Sequence, residues 1–123
     1  MAGSCTRSLP SAVSVRGPLA PRLLALLLAT LYLWLGTRPR IPAALERFPD
    51  WLGHGAAYAL LAAVAQRGFP SLAPGGVAAA CTLHGGLLEW LQLHVPGRSA
   101  ELEDLVADAL GSLLGVALRV RRP

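Results

Sequence analysis

The chain has 123 residues, of which 54% are hydrophobic and 15% charged, with a mean hydropathy of +0.50. That length suits one domain, but a soluble domain so poor in charge would expose much of its apolar surface, whereas a bilayer removes the difficulty. The net charge of +4 comes from eleven Arg and no Lys; these are not clustered among aromatics, so the balance points to membrane topology and away from nucleic acid.

Residues 1–21 are rich in Ser, Pro and Arg, and the first acid is Glu46. They read as a disordered polar N-terminal tail, although an acid-poor Ser/Arg composition also suits a transit peptide, and a start codon set too far upstream would look the same. Residues 22–123 are expected to form an all-α membrane bundle of four transmembrane helices. The first apolar segment is Leu23 to Gly36, bounded by Arg22 and Arg38. It is short against the roughly 20 residues that cross a bilayer, but Arg22 can snorkel and Pro18 to Pro21 can extend it. A cleaved signal peptide competes with a retained helix here. No small-residue cleavage site follows Gly36, and Tyr32 and Trp34 suit an interfacial belt, which favours retention.

The second segment runs from Trp51 to Gln66, the third from about Pro74 to Leu93, and the fourth from about Leu105 to Val120. Pro and Gly in "RGFPSLAPGG" predict a tight turn between the second and third. The acids of "VPGRSAELED" suit the start of the fourth helix. Spans in lipid must be helical, because an open sheet leaves backbone groups unpaired. With both termini cytoplasmic, Arg7, Arg16, Arg22, Arg67, Arg119, Arg121 and Arg122 lie inside and Arg38, Arg40, Arg47 and Arg98 outside. That imbalance favours this orientation. Cys5 and Cys81 form no metal or disulfide motif, and Cys81 reads as a packing residue.

This topology brings the polar residues to one end. Asp50, His54 and Tyr58 form an i, i+4 stripe at the start of the second helix. Glu89 and Gln92 end the third, Arg98 follows in the loop, and Asp104 and Asp108 open the fourth. Asp104, Asp108, Gly111 and Gly115 share one stripe, whose small-xxx-small half lets another backbone approach and whose acidic half faces the same neighbour. Ionisable groups within spans usually face a partner or a wet cleft. Duller readings stand beside this one. Asp50 and His54 also suit a wet helix entrance, Gln92 a bond to a neighbouring helix, and Asp104 a favourable helix-start acid. Glu89 is expected to pair across helices with His54 or Arg98, for structure or for a working site. His84 reads as a hydrogen-bonding histidine of the interior, and His94 as interfacial. The Pro96-Gly97 turn is expected to carry Arg98 over Glu89 and Asp104. A metal held by His54, Glu89 and Asp108 is conceivable, but no short ligand spacing supports it, so neither metal nor other cofactor is expected. Phosphate-loop and nucleophile-elbow motifs are lacking.

From Asp50 to Gly115 the order and spacing resemble the VanZ-like family of small polytopic membrane proteins. The matching residues are Asp50, His54 and Tyr58; Glu89 and Gln92; Pro96, Gly97 and Arg98; then Asp104, Asp108, Gly111 and Gly115. Trp51 stands where the family often has Lys, and Asp108 where it usually has Asn. The resemblance implies a cell-envelope setting. It also implies a link to antibiotic resistance, since the founding member is associated with resistance to the glycopeptide teicoplanin.

Three functions compete. The first is a membrane protein that engages a lipid headgroup or lipid-linked cell-wall component in an outward-facing polar cleft, with Arg98 holding a phosphate. The second is an intramembrane enzyme acting on such a lipid. His54 would be its acid/base, Glu89 or Asp104 would orient His54, and Arg98 would stabilise developing charge. The third is a small structural or assembly subunit.

Overall fold

A computed structural model describes residues 17–40, 43–44 and 46–120. Cys5, Arg7, Arg16, Arg121, Arg122 and residues 1–16 of the expected tail lie outside the described residues. Four helices and no strand are found among those described: α1 (Leu19–Gly36), α2 (Asp50–Gly68), α3 (Pro74–Gln92) and α4 (Leu102–Val120). By length and composition, α1 is apolar enough to cross a membrane; it is the one helix described that passes that test.

Two helix starts lie upstream of the expected ones. Helix α1 takes in Leu19 to Pro21, which had been read as tail. Pro21 sits in the first turn, where its missing N–H breaks no helical hydrogen bond. Helix α4 begins at Leu102 rather than Leu105, with Glu103 and Asp104 in its first turn, where carboxylates meet the positive end of the helix dipole. Pro74 opens α3, a position for which its fixed φ is suited.

The loops are tight for local reasons. The Leu72 N–H bonds the Phe69 carbonyl at 3.1 Å, and the buried Gln66 amide donates to the Leu72 carbonyl at 3.0 Å. After α3, the Arg98 N–H closes on the Val95 carbonyl at 3.1 Å. Pro96 and Gly97 occupy the centre of this turn, and Gly97 has φ 79°. Pro followed by a positive-φ Gly is the type II arrangement.

The helices run alternately up and down, so α2 and α4 are parallel. They are also the most closely packed pair. A β-carbon on Gly111 would strike the Gly55 carbonyl, and one on Gly115 would strike the Ala59 carbonyl. The small-xxx-small stripe thus brings two backbones together, as its spacing predicts. Around this seam the core is formed by Tyr58, Leu61, Ala62, Val77, Ala78 and Val116, with Cys81 and Ala25 beside them.

Large apolar side chains are exposed on every helix, among them Leu27 on α1, Leu60 on α2, Leu83 on α3, and Leu110 and Leu114 on α4. The buried polar residues are Gln66, Glu89, Gln92, Asp104, Asp108 and Ser112.

Candidate functional site

The site is assembled where α2 and α4 start and α3 ends. His54, one turn into α2, donates or shares a proton through Nδ1 with Oδ1 of Asp108 at 2.8 Å. The same nitrogen is 4.0 Å from Oε1 of Glu89. The other ring nitrogen, Nε2, is 3.7 Å from Oδ2 of Asp104. One imidazole therefore faces three carboxylates from two helices. Asp108 is fully buried, and Glu89 and Asp104 are nearly so.

Each acid is held by the local chain. The Glu101 backbone N–H, just before α4, donates to Oε2 of Glu89 at 2.9 Å. That N–H is one of those a helix start leaves without a partner, so Glu89 caps α4 from across the bundle. Ser99 donates to Oε1 of Glu101 at 3.1 Å and steadies the same turn. Asp108 lies against Gly85, where a β-carbon would collide with Oδ2 of Asp108. Oxygens remain free within this packing: Oε1 of Glu89, Oδ1 of Asp104 and Oδ2 of Asp108 are buried without hydrogen-bond partners.

Tyr58 is on the same α2 stripe as His54, with its ring stacked at 6.4 Å between centroids. Its hydroxyl shares a 2.8 Å hydrogen bond with Nδ1 of His84, and Nε2 of His84 lies 3.0 Å from the Ala29 carbonyl. A carbonyl only accepts, so Nε2 carries a proton; in the neutral ring Nδ1 then accepts from Tyr58. His84 is accordingly a hydrogen-bonding histidine of the interior, as read from the sequence. His94 is exposed and bonds the Trp90 carbonyl at 3.0 Å.

Arg98 does not sit over Glu89 and Asp104. Its Nε donates to the Arg38 carbonyl at 2.9 Å and its Nη2 to the Leu35 carbonyl at 3.4 Å. Leu35 is in the last turn of α1 and Arg38 lies two residues beyond it, where the negative end of the helix dipole attracts a cation. Gln92 does the same work nearby, donating to the Gly36 carbonyl at 3.0 Å. The expected cation of the cluster is therefore a tie between the α3–α4 loop and α1.

A cavity of about 550 Å³ opens beside the cluster. Asp50, His54, Tyr58, Gln92, Arg98 and Asp104 contribute its polar wall, and Tyr32, Leu35, Phe48 and Leu88 part of its apolar wall. Of the expected residues, His54, Glu89, Asp104 and Asp108 meet directly. Asp50, Tyr58, Gln92 and Arg98 line the cavity, and Gly111 and Gly115 pack the helices below it. Sequence reasoning missed Gly85, whose signal was its position four residues before Glu89. It also missed Tyr32, whose hydroxyl donates to the Ala57 carbonyl at 2.9 Å.

Compared with family models, curated proteins and solved structures, the chain matches none.

Proposed function

We propose that this chain is a multi-pass membrane protein, VanZ-like in its arrangement, that engages a lipid headgroup or lipid-linked envelope component in the cavity beside His54. The observation that carries this reading is the combination of exposed apolar side chains with buried acids. Apolar side chains cover the outside of all four helices, while the buried acids gather at one end beside a cavity that is apolar on one side and polar on the other. Contiguous exposed apolar surface on this scale marks contact with lipid or a partner. Buried ionisable groups in spans mark a pathway or a ligand. Helices of 18 or 19 residues reach roughly 28 Å at 1.5 Å per residue, close to a hydrocarbon core of about 30 Å. The polar residues that lower the hydropathy of α2, α3 and α4 are largely those turned inward.

In this orientation the cavity opens at the outer leaflet, both termini are cytoplasmic, and Arg98 stands at the rim. A guanidinium that already bonds two carbonyls keeps further N–H donors for a headgroup oxygen. The test is identification of lipid that co-purifies with the protein in detergent, with Arg98→Ala as the comparison. A lipid class enriched over the bulk membrane in the wild type, and depleted in the variant, supports the reading. A bulk-membrane profile in both proteins overturns it.

A second reading, an intramembrane enzyme, is favoured by the His54–Asp108 pair. A buried acid that holds Nδ1 of a histidine lining a cavity is how a general base is oriented. On that reading the orienting residue is Asp108, not Glu89 or Asp104.

A further inference from the structure

Three carboxylates and one imidazole share a volume almost closed to water. Among the described residues, His54 is the only cation-capable side chain within ion-pair distance of Glu89, Asp104 and Asp108. Arg98 is turned to the end of α1. The N-terminus of α4 offers only about half a positive charge. Buried carboxylates in such a place demand a proton or a cation.

The geometry offers a cation three ligands. Nδ1 of His54 and one oxygen each from Glu89 and Asp108 lie within 4.8 Å of one another. An ion about 2.0–2.2 Å from each ligand sets separations of roughly 3–4.4 Å between neighbouring or opposite ligands. The 4.0 Å from Nδ1 to Glu89 lies in that range, and the 2.8 Å from Nδ1 to Asp108 is a hydrogen bond here, which the ion would replace, displacing the shared proton and moving the two atoms slightly apart. The outer oxygen of Glu89 is also held by a hydrogen bond, as in a positioned ligand. Oε2 of Glu89 accepts the Glu101 N–H at 2.9 Å, and Nε2 of His54 faces Asp104 at 3.7 Å. That separation is too long for a hydrogen bond, but the negative charge of Asp104 adds to the attraction of the cluster for a cation. An independent observation is that Oε1 of Glu89, beside Nδ1, is buried and has no hydrogen-bond partner.

We propose that His54, Glu89 and Asp108 bind one divalent first-row transition-metal ion, such as Zn²⁺ or Mn²⁺, with Asp104 adding negative charge beside His54. One imidazole with two carboxylates suits this class better than the all-oxygen sites of Ca²⁺ or Mg²⁺. The site joins α2, α3 and α4, so the ion cross-links the end of the bundle. It does not depend on lipid in the cavity.

The test uses tag-free, full-length protein in detergent, purified without chelator. Its metal content is measured by mass spectrometry. Chelator-stripped protein is then titrated with Zn²⁺ and Mn²⁺ by calorimetry and thermal unfolding. The expected result is about one equivalent of metal and an unfolding temperature that rises with metal. His54→Gln and Glu89→Gln should each bind at least about 10-fold more weakly. Folded wild-type protein without retained metal, titration heat or thermal shift overturns the site, as does wild-type affinity in Glu89→Gln. Lipid is assayed in the same samples. Lipid without metal removes the ion alone, and metal without lipid removes the headgroup reading alone.

Discussion

Gly85 and Gly111 are both close-packed, but what they touch differs. A methyl group at Gly85 would meet a carboxylate oxygen of Asp108, and one at Gly111 would meet the Gly55 backbone carbonyl. A side chain can rotate away, at the expense of the 2.8 Å bond between Asp108 and His54. A helix backbone cannot move without separating α2 from α4. Gly85→Ala should therefore cost about 1–3 kcal/mol, the usual range for overpacking. Gly111→Ala should cost more and should also lower accumulation in the membrane. Thermal unfolding in detergent gives the order. Wild-type stability of Gly111→Ala, or a larger loss at Gly85→Ala, would contradict the close approach of the two backbones.

Three elements are stitched by one line of hydrogen bonds: Tyr58 of α2 to His84 of α3, and His84 to the Ala29 carbonyl of α1. Tyr58→Phe keeps the ring and removes the donor, leaving a buried ring nitrogen without a partner. The expected cost is about 1–3 kcal/mol, read as a lower unfolding temperature with helix content unchanged. An unchanged unfolding temperature would mean that another group serves His84. This line was only half legible in the sequence. His84 read as an interior hydrogen-bonding residue from its place in an uncharged run, but its partners lie 26 and 55 residues away. The four helices were legible because apolar runs and Pro/Gly turns are local signals. So was the gathering of His54, Glu89, Asp104 and Asp108 at one end, which follows from alternating helix direction. The destination of Arg98 was not legible. It depends on where the carbonyls at the end of α1 come to rest, and that is decided by packing. The sequence did name His54, Glu89 and Asp108 as conceivable ligands, but one residue comes from each of three helices, so no short spacing supported the set, and only packing shows their ligand atoms within 4.8 Å of one another.

For the whole molecule, two independent observations bear on the proposed topology. The arginines divide seven to four in favour of cytoplasmic termini, a bias that orients helices in a membrane. The structure ties the start of α1 to the end of α2, through Arg22 Nε and the Gly68 carbonyl at 2.7 Å. It ties the end of α1 to the end of α3 and the loop beyond, through Gln92 and Arg98. Helix α1 is therefore an integral part of the bundle, alternating with α2, α3 and α4. The proposed four-span arrangement has the other three helices cross with α1, which places their exposed Leu60, Leu83 and Leu110 in lipid. Reporter fusions at residues 18 and 123 should then both report cytoplasm, and a reporter in the α3–α4 loop the opposite side. A cleaved α1 would appear as a mature protein lacking residues 19–36 by mass spectrometry. Opposite locations for the two termini, or loss of α1, would remove the four-span arrangement and leave the acidic cluster without its outward-facing setting.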